Sequence, residues 1–104
     1  MTDALVVLVT EPLLDDGPGD ARRDLEERLA ACGNVLPGVR SIYRWEGKLQ
    51  DEPEVLLVLK TRRSRFAALR DRILALHPYE TPEVIALPVE AGSDAYLDWI
   101  AGST

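Results

Sequence analysis

The chain has one cysteine and one histidine, and these scarcities narrow its chemistry at once. A lone Cys32 forms no internal disulfide, which fits a reducing compartment. A lone His77 cannot by itself build a closed four-ligand metal cage. No apolar run approaches the roughly 18 residues that a membrane span needs. The start, Met1-Thr2-Asp3, is acidic, and the apolar run Leu5 to Val9 is too short for a signal peptide, so a cytoplasmic address is expected. Basic charge is also in deficit, with 12 Lys and Arg against 18 Asp and Glu and a net charge of −6. That argues against a general nucleic-acid binder, whose affinity comes from neutralising phosphates. The densest basic run, Arg62-Arg63-Ser64-Arg65 with Arg70 and Arg72 beyond, reads as a solvated helix face. There is no Gly-rich phosphate loop and no Cys-x-x-Cys. No third group is evident to orient a Cys–His pair, so an enzyme is not expected.

What remains is ordinary globular material. A length of 104 residues, 46% hydrophobic and 29% charged, suits one domain over 1–104, large enough for a core yet only marginally stable alone. Ala4 to Thr10 is a short, β-branched apolar run expected as a strand buried on both faces. Asp15 to Asp20 carries clustered breakers and reads as a loop. Ala21, Leu25, Leu29 and Cys32 keep helical spacing, predicting a helix from near Asp20 to Ala31, with Cys32 and Gly33 where it stops. Arg22–Glu26 and Arg23–Glu27 are placed to pair weakly along it.

Asn34 to Leu49 reads as strand, with a bulge or edge position at Pro37-Gly38. Beyond it, Val39, Ser41, Tyr43 and Trp45 alternate with Arg40, Ile42 and Arg44, separating an aromatic face from a mostly charged one. Leu49 to Pro53 is expected to turn, and Glu54 to Thr61 to return as a core strand, giving a long antiparallel hairpin. Arms of 15 residues would reach roughly 50 Å if fully extended, more than so small a domain can back, which favours subunit contact. Ser64 is a plausible N-cap for a second helix carrying Phe66, Leu69, Ile73 and Leu76, and Pro78 ends it. Glu83 to Val89 reads as a fourth strand. Ser93 opens a last short helix with Tyr96, Leu97, Trp99 and Ile100. The order β-α-β-β-α-β plus a helix is the split βαβ, ferredoxin-like α+β arrangement.

The segment richest in chemistry is His77-Pro78-Tyr79-Glu80-Thr81-Pro82-Glu83. Each proline forces its predecessor into extended backbone, so this is a stiff connector presenting polar groups in fixed order. His77 is read either as a metal ligand or as a cap on carbonyls at the end of the preceding helix.

Leu29-Ala30-Ala31-Cys32, Asn34, Leu36-Pro37-Gly38-Val39, Ser41 to Lys48, Lys60-Thr61, His77 to Glu83 and Tyr96-Leu97-Asp98-Trp99, in this order and spacing, resemble the CutA divalent-cation tolerance family from Val6 to about Ile100. The resemblance implies a stable homotrimer of ferredoxin-like subunits, PII-like in architecture, with hairpins wrapping onto neighbours. It also implies a cytoplasmic, non-catalytic role linked to copper and other divalent cations, and a ligand site in the clefts between subunits. In some bacterial members copper ligation is associated with a first-strand cysteine and a His-His pair. Here those positions are Val9 and Leu76-His77, so copper carries over to His77 alone.

Copper favours thiolate and imidazole together, and the chain offers Cys32 and His77, with Glu80 nearby in sequence. The expected metal residues are therefore His77, Cys32 and Glu80, forming a loose Cu(II) or Zn(II) site near a subunit junction. The plain alternative for Cys32 is a small buried filler. The expected inter-subunit cleft comprises Thr10, Tyr43, Arg44, Trp45, Lys60, Tyr79 and Trp99. Its aromatics read first as interface anchors. Arg44 and Lys60 are placed to hold an anion, or in the case of Lys60 simply to snorkel from a strand end. A metal-ion or small-ligand binder and a scaffold for a protein partner both stand at this point, with no nucleic acid and no membrane as partner.

Overall fold

The computed structural model describes residues 2–12 and 17–104. In chain order the elements are β1 (Ala4–Pro12), α1 (Gly17–Glu26), β2 (Cys32–Trp45), β3 (Lys48–Arg62), α2 (Arg63–Leu76), β4 (Val84–Pro88) and α3 (Asp94–Gly102). The strands form one antiparallel sheet in the order β2-β3-β1-β4. This is the ferredoxin-like α+β topology, and no described helix is long and apolar enough to cross a membrane.

The period-two pattern of β1 decides where the core sits. Val7 and Val9 are fully buried, and their cross-strand partners Leu59 and Leu57 are too. Together with Ala21 of α1 and Leu69 and Ile73 of α2 they form the main core. The intervening Val6, Leu8 and Thr10 are only half-buried, because they point to the face that α1 and α2 do not cover. The expectation that β1 is buried on both faces is thus corrected for the single chain. At one end of the sheet α3 seats Ile100 and Leu97 on Ala4, Ala31 and Val89.

The first helix occupies Gly17–Glu26 and not the expected stretch from Asp20 to Ala31. It begins inside the segment read as a loop, whose Asp15 and Asp16 lie outside the described residues. After it, Arg28 takes a φ of 58°, a left-handed backbone that breaks the helix. The chain then turns so that Ala30 and Ala31 are buried and Cys32 opens β2. The helical spacing of Leu29 and Cys32 is therefore coincidental. The buried Thr61 hydroxyl donates to the Leu29 carbonyl at 2.7 Å and anchors this turn. Gly33 sits where a side chain would meet Leu59 Cδ2 at 3.0 Å, so its lack of one lets α1 close onto the sheet. Glu27, in the turn just past α1, pairs with Arg72 of α2 at 2.8 Å.

The hairpin turns at Glu46-Gly47, not at Leu49–Pro53. Both residues have positive φ, 52° and 78°, and Trp45 faces Lys48 in the register, as in a two-residue type I′ turn whose twist suits antiparallel strands. Pro53 misled the reading. It lies within β3 beyond the last β1 pair, Pro12↔Glu54, on a stretch with only β2 beside it, where a missing N–H is tolerated. The expected bulge is present between Leu36 and Val39, with Gly38 at a φ of 81°. α2 begins at Arg63 with no side-chain cap at Arg62, so Ser64 is its second residue and not its N-cap. β4 and α3 fall within a residue of expectation, and Ser93 is the N-cap of α3 without a side-chain cap bond.

Candidate ligand cleft

The geometry begins at the C-terminus of α2. Pro78 forces His77 into extended backbone (φ −74°, ψ 136°), while the His77 N–H still donates to the Ile73 carbonyl at 2.9 Å. The ring thereby swings onto β1. Its Nε2 lies 2.7 Å from the Thr10 carbonyl oxygen, and the Tyr79 backbone N–H lies 3.1 Å from Nδ1. A carbonyl only accepts and an N–H only donates, so Nε2 carries the proton and Nδ1 offers its lone pair. His77 is a strut between β1 and the connector.

The strut positions Tyr79. Its ring lies 4.7 Å from the imidazole at 51°, and its hydroxyl donates to the Glu54 carboxylate at 3.0 Å. Glu54 is 4% exposed, a buried acid that needs such a donor. On the hairpin, Tyr43 donates to Glu52 at 3.2 Å. Both phenols are pushed above their ordinary pKa, first by loss of solvent, then by the bond to Glu54 or Glu52, then by nearby carboxylate charge. They keep their protons and donate them.

The connector and the hairpin enclose an open cleft of about 760 Å³, walled by Tyr43, Trp45 and Tyr79 and edged by Glu54, Glu80 and Glu83. Of the residues expected at a cleft, Thr10, Tyr43, Trp45 and Tyr79 line it, and Glu80 joins them. Arg44, Lys60 and Trp99 do not line this cleft of the single chain. Arg44 alternates to the opposite face of the hairpin, opposite Leu49. Lys60 donates to Asn34 Oδ1 and approaches Cys32 Sγ at 3.9 Å. Trp99 packs against Tyr96 on α3, with ring centroids 5.5 Å apart.

The expected metal set is not assembled in one chain. Cys32 faces Lys60 and thus lies level with Val6, whereas His77 binds Thr10. The offset is about 13 Å along the strands, with two strand spacings added. His77 has no vacant nitrogen, since Nε2 is protonated and Nδ1 already accepts. Glu80 is on the cleft rim, away from Cys32. Among the described residues no three His, Cys, Asp or Glu side chains are grouped to hold a metal ion. The cleft's own donors are carboxylate and phenol oxygens, which suit hard cations and poorly match copper's preference for sulfur and imidazole.

Sequence reasoning missed Glu54, Glu52, Ser41 and Ile42. A signal existed for Glu54, an acid opening an otherwise apolar strand. It was masked by Pro53, which drew the turn to that place and separated Glu54 from Tyr43.

A ferredoxin-like domain with one overlong hairpin and a cleft under a His-Pro-Tyr connector defines the class, and comparison with known proteins supplies the family. The family model described as CutA1 divalent ion tolerance protein matches residues 5–103, so the chain belongs to that family. It is 48% identical over 101 residues to the chloroplastic protein CutA of Arabidopsis thaliana, covering 97% of this chain and 56% of that protein. It is 46% identical over 99 residues to the divalent-cation tolerance protein CutA of Thermus thermophilus, covering 95% of this chain and 96% of that one. The crystal structure of CutA1 from Oryza sativa superposes with a TM-score of 0.94 at 46% identity, over 99% of this chain and 94% of that one. The chain thus spans just over half of the plant relative's length and nearly all of the bacterial one's.

Proposed function

We propose that the protein is a cytoplasmic, non-catalytic homotrimer acting in divalent-cation tolerance through its cleft, where it takes a small ligand and holds copper or another divalent cation weakly. The observation that carries this is the Tyr79–Glu54 bond at 3.0 Å, which locks the connector onto the hairpin and builds a concave, aromatic, carboxylate-edged site. Loose metal uptake there falls to the exposed rim carboxylate of Glu80, with water completing most of the sphere. His77 acts as a strut beneath it.

The trimer reading rests on the sheet face turned away from α1 and α2. Leu36, Ile85 and Leu87 lie there in register with Leu56, Leu8 and Val6, and are 41%, 49% and 51% exposed. So much apolar surface on a small chain marks an interface. The overhanging part of the hairpin gives a second surface for a neighbour. Sedimentation analysis tests the assembly, and melting midpoints measured against Cu(II), Zn(II) and Mg(II) concentration test the binding, because a ligand that prefers the native state raises the midpoint. A monomer, or a midpoint insensitive to every cation, would remove the corresponding half of the proposal.

A further inference from the structure

Between α2 and β4 the connector 78–83 hangs on one residue. Among the described residues it has two hydrogen-bonded ties to the rest of the chain, and both run through Tyr79. The Tyr79 N–H donates to Nδ1 of His77 at 3.1 Å, and its hydroxyl donates to the buried Glu54 carboxylate at 3.0 Å. Pro78 and Pro82 have no N–H to offer. All these atoms belong to one chain, so the ties do not depend on which surfaces a neighbouring subunit covers.

Only an imidazole with a single proton, carried on Nε2, serves both of its contacts. A second proton falls on Nδ1, where it faces the Tyr79 N–H, donor against donor. The bond from Nε2 to the Thr10 carbonyl, 2.7 Å long, survives this and gains strength from the charge. A positive ring also suits the C-terminal end of α2. Protonation therefore breaks the connector arm and leaves the β1 arm in place. Imidazole is the one side chain whose charge ordinarily changes between about pH 5 and 8. Around the ring, the connector carries Tyr79, Glu80 and Glu83, β1 carries Glu11, and Glu54 of β3 stands behind Tyr79. The second half of α2 adds Asp71, bonded to Arg70, and Arg72, paired with Glu27, while β4 adds no titratable group. Among the described residues none of these acids is bonded to the ring, so a proton on Nδ1 meets the Tyr79 N–H.

We infer that His77 is a proton-operated latch, which holds Tyr79 and the connector over the cleft while the ring is neutral and releases them when it is charged. Freed at its N–H, Tyr79 loses the support that sets its hydroxyl on Glu54, and the cleft loses a wall. The inference concerns that wall and stands whether or not a cation or a small molecule binds there.

The test follows the full chain by NMR from about pH 8 to about pH 5, with no ligand added. Imidazole nitrogen resonances report the tautomer and the charge of His77. Amide hydrogen exchange at Tyr79, corrected for the pH dependence of intrinsic exchange, reports the connector. The His77 amide, bonded to the Ile73 carbonyl, reports whether α2 stays intact. His77→Gln is the comparison, because its side chain donates and accepts without titrating in this range. His77→Ala removes the tie altogether. The expected result is a proton on Nε2 at the upper pH, then a loss of Tyr79 protection of about tenfold that shares its midpoint with the ring. The His77 amide should stay protected throughout. His77→Gln should show no step, and His77→Ala should show weak Tyr79 protection at both ends. A ring protonated on Nδ1 alone, a ring still neutral at about pH 5, or Tyr79 protection constant through the ring's titration would overturn the latch. So would the same step in His77→Gln, or equal loss at both amides, which is general opening of the fold.

Discussion

The imidazole of His77 donates through Nε2 to the Thr10 carbonyl at 2.7 Å and accepts the Tyr79 N–H at Nδ1 at 3.1 Å. One side chain thereby ties strand β1 to the connector that shapes the cleft. A histidine held this way has a structural task, and its loss is felt in stability before it is felt in binding.

His77→Ala removes two hydrogen bonds and leaves the Thr10 carbonyl to find another donor. The expected loss is about 1–3 kcal/mol, read from urea denaturation at fixed protein concentration. Unchanged stability would mean that the connector is held by other contacts.

Tyr79→Phe leaves the Glu54 carboxylate buried without that donor and should cost about 1–3 kcal/mol. Adding Glu54→Gln should recover part of it, which a double-mutant cycle measures. The pH dependence has a definite sign. Burial and Glu54 raise the Tyr79 pKa above its ordinary value of 10.0, so the unfolded chain ionises at this site before the folded one does. The contribution of Tyr79 is full below about pH 10 and is lost progressively as pH rises above it. The alkaline fall in stability should therefore be shallower in Tyr79→Phe than in the parent.

Gly33→Val places a Cβ 3.0 Å from Leu59 Cδ2, with Ala21 Cβ and Leu25 Cδ1 at 3.5 and 3.6 Å. Helix α1 must move away from the sheet, at an expected cost of about 1–3 kcal/mol in thermal or urea unfolding. Neutral behaviour would show that α1 docks loosely.

Leu87→Lys puts a charge on the open sheet face opposite Val6 without touching the main core. Sedimentation should show smaller species than the parent, with the circular dichroism of the fold retained. An unchanged trimer would place the interface elsewhere.

The topology was legible because the apolar runs, helical spacings and breakers of this chain agree with one another. The connector was legible because two prolines bracket it. The end of α1 was not, because Leu29 and Cys32 continue a helical spacing that the positive φ of Arg28 interrupts. The hairpin turn was misplaced because Pro53 signals a turn more loudly than Glu46-Gly47, and only the three-dimensional edge around Pro53 makes it acceptable in a strand. That displacement of the turn hid the pairing of the hairpin tyrosine with Glu52 and the closeness of Glu54 to Tyr79. Cys32 and His77 looked like partners because sequence gives residue types without positions. Within one chain the register separates them.

The most direct test of the central claim is native mass spectrometry of the parent and His77→Ala with and without Cu(II). The account predicts a trimer in both, with the same copper uptake per subunit whether or not the imidazole is present. A monomer, or copper uptake by the parent that disappears in His77→Ala, would contradict it and return the histidine to the role of ligand.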